Sequence, residues 1–199
     1  MKYEWKKEEK EIYLPKSEVQ LVAIPAYKFV ALSGKGDPNG QDFAERVGVL
    51  YSVAYAIRMM PKSGYMPDGY FEYTVYPLEG VWQGDPTNKS SLVYTMMIRQ
   101  PNFVSIDIFA KAMDIVKKKK PHKFLSEVVW DEREEGLSVQ MMHTGSYGSE
   151  PISFAKMQDF MDKNGLQRTS VAHREIYLSD PNKTKSDQLK TVLRYTVQR

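Results

Sequence analysis

The sequence predicts an α+β protein built from a duplicated β-α-β-β unit, with helices packed on an antiparallel sheet. Two observations carry this. Strand-like and helical periodicities alternate along the chain, and the order strand, loop, helix, strand, strand occurs twice, over residues 19–100 and again over 137–198. Local echoes mark the repeat: YPLEG follows a strand in the first copy where IYLSD stands in the second. Each copy then closes with a hairpin partner, LVYTMMIRQ or TVLRYTVQR. Two such units can pair about a pseudo-twofold axis, and the seam between the halves is the expected ligand cleft.

Residues 1–18 read as a charged N-terminal extension whose Trp5, Ile12 and Tyr13 pack onto the body; residues 19–199 read as one domain, with 101–136 connecting the repeats. Val19–Ser33 is extended, interrupted at Pro25 and Ala26, and Gly34–Gly40 is a loop marked by glycine, Asp-Pro and Asn-Gly. Gln41–Met60 is the longest helical pattern, with Phe43, Val47, Leu50, Ala54 and Ile57 on one face and Pro61 at its end. Tyr70–Tyr76 and Leu92–Arg99 are strand-like by β-branched and aromatic content, and PLEGVWQGDPTNKSS between them reads as a connection. Phe103–Lys119 is a second helix capped by Ser105, with Ile106, Phe109, Met113 and Val116 as its buried stripe. Two strands follow, Phe124–Trp130 and Gly136–His143, joined by the acidic turn Asp131–Glu135. The third helix starts near Pro151, buries Phe154, Met157, Phe160 and Met161, and stops at Asn164-Gly165. Val171–Ser179 and Leu189–Gln198 are the last strands.

Composition narrows the function. The chain has 199 residues, is 42% hydrophobic and 27% charged, and carries a net charge of +3, which does not point to a nucleic-acid partner. The run Lys117–Lys120 closes a helix, where cations complement the negative end. There is no cysteine, so neither a disulfide framework nor a thiolate zinc site is available, and three histidines leave little for a metal centre. No metal and no cofactor are expected. The N-terminus lacks an apolar signal core and no apolar run is long enough to span a membrane, so a cytoplasmic protein with no membrane partner is expected. Neither a phosphate loop nor a dinucleotide fingerprint is present, and there is no GxSxG nucleophile elbow.

The stretch His173–Asp180 (HREIYLSD) draws the most attention. As a strand it places His173, Glu175, Tyr177 and Ser179 on one face, and Arg174, Ile176 and Leu178 on the other. A carboxylate between an imidazole and a phenol is either a solvated outer face, or one paired with Arg174 or a lysine, or the acid of a binding site. In such a site Glu175 can pair with a cation or hold a water as general base. Trp82 offers a broad face for stacking and for cations, against the alternative of a plug at the end of the core. Tyr147 can project its phenol into such a site, and Tyr177 either donates to Glu175 or finishes a hydrophobic layer; Tyr70 is open between cleft and packing, and Glu79 between the cleft and a turn or backbone-capping role. Tyr73 and Phe71 lie with Val75 on the core face of their strand. His143 is read first as hydrogen-bonded structure, and Glu72 is the spare acid.

Four stretches resemble the GyrI-like small-molecule-binding family: YPLEGVW (Tyr76–Trp82), MMIRQPNFV (Met96–Val104), LSVQMMHTGSYGSEP (Leu137–Pro151), and HREIYLSDP with LKTVLRYTV (His173–Val197). The family often carries a second histidine where Arg174 stands here and a second tryptophan where Gln83 stands, so the cleft wall differs in detail. The resemblance implies a duplicated β-α-β-β fold and an aromatic-lined cleft that takes planar aromatic or cationic small molecules. It also places the central acid at Glu175. One stand-alone branch hydrolyses cyclopropane-bearing, DNA-alkylating natural products, so the resemblance implies a catalytic pair of Glu175 and Tyr147 and ligand contacts from Trp82, Tyr177, His173, Tyr70 and Glu79, giving drug resistance. A non-catalytic multidrug-binding or effector-sensing role is the alternative.

Overall fold

A computed structural model describes residues Lys2–Arg199. In chain order its elements are α1 (Trp5–Glu8), α2 (Lys10–Tyr13), β1 (Gln20–Ile24), β2 (Tyr27–Lys35), α3 (Gln41–Arg58), β3 (Leu78–Gln83) and β4 (Val93–Gln100). These are followed by α4 (Ile106–Lys119), β5 (Val129–Arg133), β6 (Gly136–Thr144), α5 (Glu150–Lys163), β7 (Gln167–Arg168), β8 (His173–Tyr177) and β9 (Lys190–Gln198). The fold is α+β, with antiparallel sheet and helices packed on it. The order strand, helix, strand, strand is present twice, as β2-α3-β3-β4 and β6-α5-β8-β9.

The chain divides into two compact units. The first holds the N-terminal residues up to Glu4 together with Tyr27–Tyr76 and Gly84–Arg133. Its strands run in the order β4-β2-β5, all antiparallel. Phe29, Val30, Ala31 and Leu32 of β2 and Met96, Met97 and Ile98 of β4 are all fully or almost fully buried, which is why both strands read as continuous apolar runs rather than alternating ones. Leu50, Val53 and Ile57 turn the inner face of α3 onto this core. Ser105 caps α4 as expected, its hydroxyl accepting from the Ile108 amide at 3.3 Å.

The second unit holds Trp5–Ala26, Pro77–Gln83 and Glu134–Arg199. Its strands run β1-β6-β9-β8-β3, antiparallel throughout, with short β7 added against β9. The register assigns side chains to faces, because residues directly opposite in neighbouring strands point the same way. Leu193 of β9 lies opposite Met141 of β6 and Glu175 of β8, which lies opposite Gly80 of β3. On this front face Val139, Met141, Leu193, Tyr195 and Val197 form a core with Met157 and Met161 of α5. On the back face Arg194 lies opposite Gln140 and Arg174, and Arg174 lies opposite Val81. Both faces are covered, which accounts for two arginines being almost completely buried.

Several expectations are corrected. Tyr70–Tyr76 is not a strand: it makes one isolated bridge, with Tyr3 donating to the Glu72 carbonyl at 2.7 Å and Thr74 donating to that of Tyr3 at 2.9 Å. Arg58 takes the Tyr73 carbonyl at 2.6 Å, so no ladder extends from it. The aromatic content instead serves a ring cluster of Tyr70, Phe71, Tyr73 and Phe103, in which Tyr73 is buried but Phe71 is 38% exposed. The strand lies next door at Leu78–Gln83, inside the supposed connection. Gly80 weakens its local signal, and Gly84 ends it at φ +118, where a Cβ would stand 2.9 Å from the Ser91 carbonyl oxygen. Phe124–Trp130 begins as a single 3₁₀ turn at Leu125–Glu127, and the strand is displaced to Val129–Arg133, so most of the supposed acidic turn is sheet. Ile106 is exposed, its place in the α4 stripe being taken by Ile108 and Ala112.

Candidate functional site

The front face of β8 and β3 gathers the chemistry of the second unit. Trp82 lies opposite His173 and Gly80 opposite Glu175, so β3 sets no side chain beside the acid, while Leu193 of β9 flanks it on the other side. Both Glu175 oxygens accept: Oε1 from His173 Nε2 at 2.8 Å and Oε2 from the Tyr177 hydroxyl at 2.8 Å. Tyr177 in turn accepts from Trp82 Nε1 at 2.6 Å. A continuous hydrogen-bonded chain therefore runs Trp82, Tyr177, Glu175, His173, each member fixing the orientation of the next. Because a carboxylate only accepts, His173 must carry its proton on Nε2. The imidazole edge meets Phe154 of α5 at 4.8 Å between ring centres, and Phe154 stacks on Tyr195 at 5.4 Å.

Tyr147 stands over this chain from the turn before α5. Its ring meets Tyr177 edge-to-face at 6.1 Å, and it is 42% exposed where Glu175 is 8% and Trp82 6% exposed. Burial, then the Glu175 charge, raises the Tyr177 hydroxyl well above the ordinary phenol value; the same causes raise Tyr147, and Glu150 adds to both. Both phenols remain donors at neutral pH.

A second acid joins them that the sequence did not single out. Glu150, the first residue of α5, is 6% exposed, and its Oε1 is buried with no hydrogen-bond partner among the described residues. Burial, then the Glu175 charge, pushes its carboxyl up to about 9. An acid at a helix start is ordinarily explained by the helix dipole, worth about 0.3–1 kcal/mol toward ionisation. That is less than one pKa unit, so desolvation prevails here and Glu150 is a neutral acid beside Glu175. The dipole explanation is what hides it in the sequence.

The turn carrying Tyr147 is held by His143. Its Nδ1 lies 2.9 Å from Ser153 Oγ, and its Nε2 lies 3.1 Å from the Ser146 carbonyl and 3.2 Å from Ser149 Oγ. The carbonyl can only accept, so Nε2 is a donor and cannot serve as base for Ser149, whose own proton goes to the Ser146 carbonyl at 2.7 Å. His143 is structural, as first read, and no serine nucleophile is formed here. Gly145 makes this turn possible at φ +142, where a Cβ would meet Ser149 Oγ at 2.8 Å.

The remaining candidates sit elsewhere. Glu79 is on the back face, 2% exposed, its Oε2 accepting from Arg174 Nη1 at 2.7 Å. Arg174 Nε faces Glu135 Oε1 at 2.9 Å, and Arg194 Nη1 donates to Glu135 Oε2 at 2.7 Å. Arg194 also donates to Gln140 Oε1 and to the Ile12 carbonyl, tying α2 to this network. The charges of Arg174 and Arg194 hold the Glu135 carboxyl below its ordinary value despite burial. Arg174 thus answers to Glu79 and Glu135 rather than to Glu175. Tyr70 belongs to the first unit, where it accepts from Arg58 Nη1 at 2.6 Å, and Glu72 pairs with the same arginine at 2.7 Å. Among the described residues no cluster of three histidine or acidic side chains is arranged as a metal site, and no helix is long and apolar enough to cross a membrane.

Comparison with known proteins now bears on this geometry. The GyrI-like small molecule binding domain model matches residues 17–195. The chain belongs to the GyrI-like family. A hydrolase from Listeria innocua is 38% identical over 99% of this chain and 100% of its own, with a TM-score of 0.93. A second Listeria innocua hydrolase, encoded by lin2189, is 36% identical over the full length of both chains, with a TM-score of 0.94. The EcmrR C-terminal domain, 14% identical with a TM-score of 0.56 over 92% of this chain and 98% of its own, shares the fold alone. No curated protein matches the chain.

Proposed function

We propose that this GyrI-like protein is a hydrolase that opens the strained cyclopropane of planar, DNA-alkylating natural products by adding water, and so protects the cell. The observation that carries the reading is the Trp82–Tyr177–Glu175–His173 chain beneath Tyr147, and the full-length likeness to two hydrolases supports it. Trp82 and the tyrosines supply stacking surface for a flat ligand. Glu175 has two bonded oxygens and lone pairs left over, enough to orient a water and take its proton. The water oxygen bonds to the cyclopropane methylene carbon as the ring C–C bond breaks. That electron pair moves to the conjugated carbonyl oxygen, which Tyr147 stabilises by donating a hydrogen bond. The proton held by Glu175 then reaches the new phenol oxygen, so the net change is addition of one water. The substrate is already strained, so positioning supplies most of what the reaction needs.

The GyrI-like domain is a small-molecule-binding domain, which supports a second reading: sequestration or effector sensing without chemistry. Incubation with a cyclopropane-bearing natural product in isotope-labelled water separates the two. A one-water adduct carrying the label supports hydrolysis, and tight binding with unchanged ligand contradicts it.

A further inference from the structure

We propose that Glu150 is a charge-selecting subsite: a cation bound beside it displaces its proton to solvent, whereas a neutral planar ligand leaves the proton in place and accepts a hydrogen bond from it. This rests on the reading of the Glu175 group as the ligand site.

The geometry is specific. Glu150 is 6% exposed, and its buried Oε1 has no hydrogen-bond partner among the described residues. The titratable groups in electrostatic reach of it are Glu175 and Tyr177 from β8 and Tyr147 from the preceding turn. His143 on β6 bonds to Ser149 and Ser153 on either side of it in the chain and is occupied there. Of these, Glu175 supplies the charge acting on Glu150, and that charge is negative. The negative charge of one acid disfavours ionisation of a second in a desolvated setting, so the buried Glu150 keeps its proton. A permanent cation beside them removes that restriction. A neutral ligand does not, but offers an acceptor to the one carboxylic O–H in the group. The buried oxygen with no protein partner is therefore matched to a ligand atom in either case, and the protonation state follows the ligand's charge.

The linkage is measurable with the full chain. N-Methylquinolinium and methylnaphthalene have nearly the same shape and differ in charge. Calorimetric titration of each, near neutral pH in phosphate and in Tris, converts the difference in buffer ionisation heat into protons exchanged. The expected result is release of about one proton per bound N-methylquinolinium and none for methylnaphthalene. In Glu150→Gln the cation is bound more weakly and the buffer dependence disappears. Cation binding without proton release in the wild-type protein overturns the proposal, as does release that persists in the variant. Failure of both probes to bind contradicts the ligand-site reading itself, and this inference with it. If the variant does not fold, the two wild-type titrations still decide.

Discussion

At the residue scale, the site is defined by what each acid is allowed to touch. Glu175 accepts at both oxygens, whereas Glu150 Oε1 is buried with no hydrogen-bond partner among the described residues, and burial pushes the Glu150 carboxyl up. The consequence extends to folding. The Glu150 carboxyl rises from 4.5 to about 9 on folding, so the folded state binds a proton that the unfolded chain releases. Stability therefore falls as pH rises through the window from 4.5 to about 9 and levels above it. Melting temperature followed against pH is expected to show this slope in the wild-type protein and a flatter profile in Glu150→Gln. Tyr177→Phe removes the hydroxyl that accepts from the Trp82 indole N–H and donates to Glu175, so two hydrogen bonds of the buried chain are lost. The expected cost is roughly 1–3 kcal/mol by urea denaturation. Glu175, His173 and Tyr177 were legible from strand alternation, and Trp82 from residue type alone. Glu150 was not, since an acid before a helix proline has an ordinary explanation that only burial removes.

At the element scale, β3 is the instructive case. Its residues were visible, with Glu79 and Trp82 named, but its strand was not, because Pro77, Gly80 and Gly84 give it the local signature of a connection. The pairing that makes it a strand is with β8, across a separation no local pattern reports: Leu78 lies opposite Tyr177 and Trp82 opposite His173. That pairing also decides the faces, sending Trp82 to the Glu175 side and Glu79 to the arginines. The converse error at Tyr70–Tyr76 has the same root, since aromatic content signals half-buried surface and here the surface is a ring cluster rather than a sheet. The three long helices α3, α4 and α5 were legible to within a few residues because their periodicity and end signals are local, whereas α1 and α2, one turn each, were not. Gly84→Ala tests the β3 boundary: the strained φ and the contact with the Ser91 carbonyl are expected to cost about 1 kcal/mol or more in chemical denaturation.

At the scale of the whole molecule, the duplicated order of elements was readable, but the grouping of β1 and β3 with the second unit was not. The back-face network explains part of that grouping. Glu79, Arg174, Glu135 and Arg194 come from four separate stretches, and α2 closes over them through Ile12 and Tyr13. A buried network of this kind is costly to break at one member, because the charge left behind stays desolvated. Arg174→Met is expected to lose roughly 3–5 kcal/mol in urea denaturation, far more than loss of an exposed pair such as Lys163 with Asp159, which is worth at most about 1 kcal/mol. The network lies on the opposite face of the strand that presents Glu175, so the same strand is anchored behind and carries Glu175 in front. The central claim is that Glu175 activates water against a cyclopropane. Its most direct test is turnover of a cyclopropane-bearing natural product by wild-type protein and Glu175→Gln, with ligand affinity and melting temperature measured on both. The account predicts a water adduct from the wild-type protein and a loss of turnover of at least about 100-fold in the variant, with its fold intact. Undiminished turnover in a folded Glu175→Gln protein would contradict it.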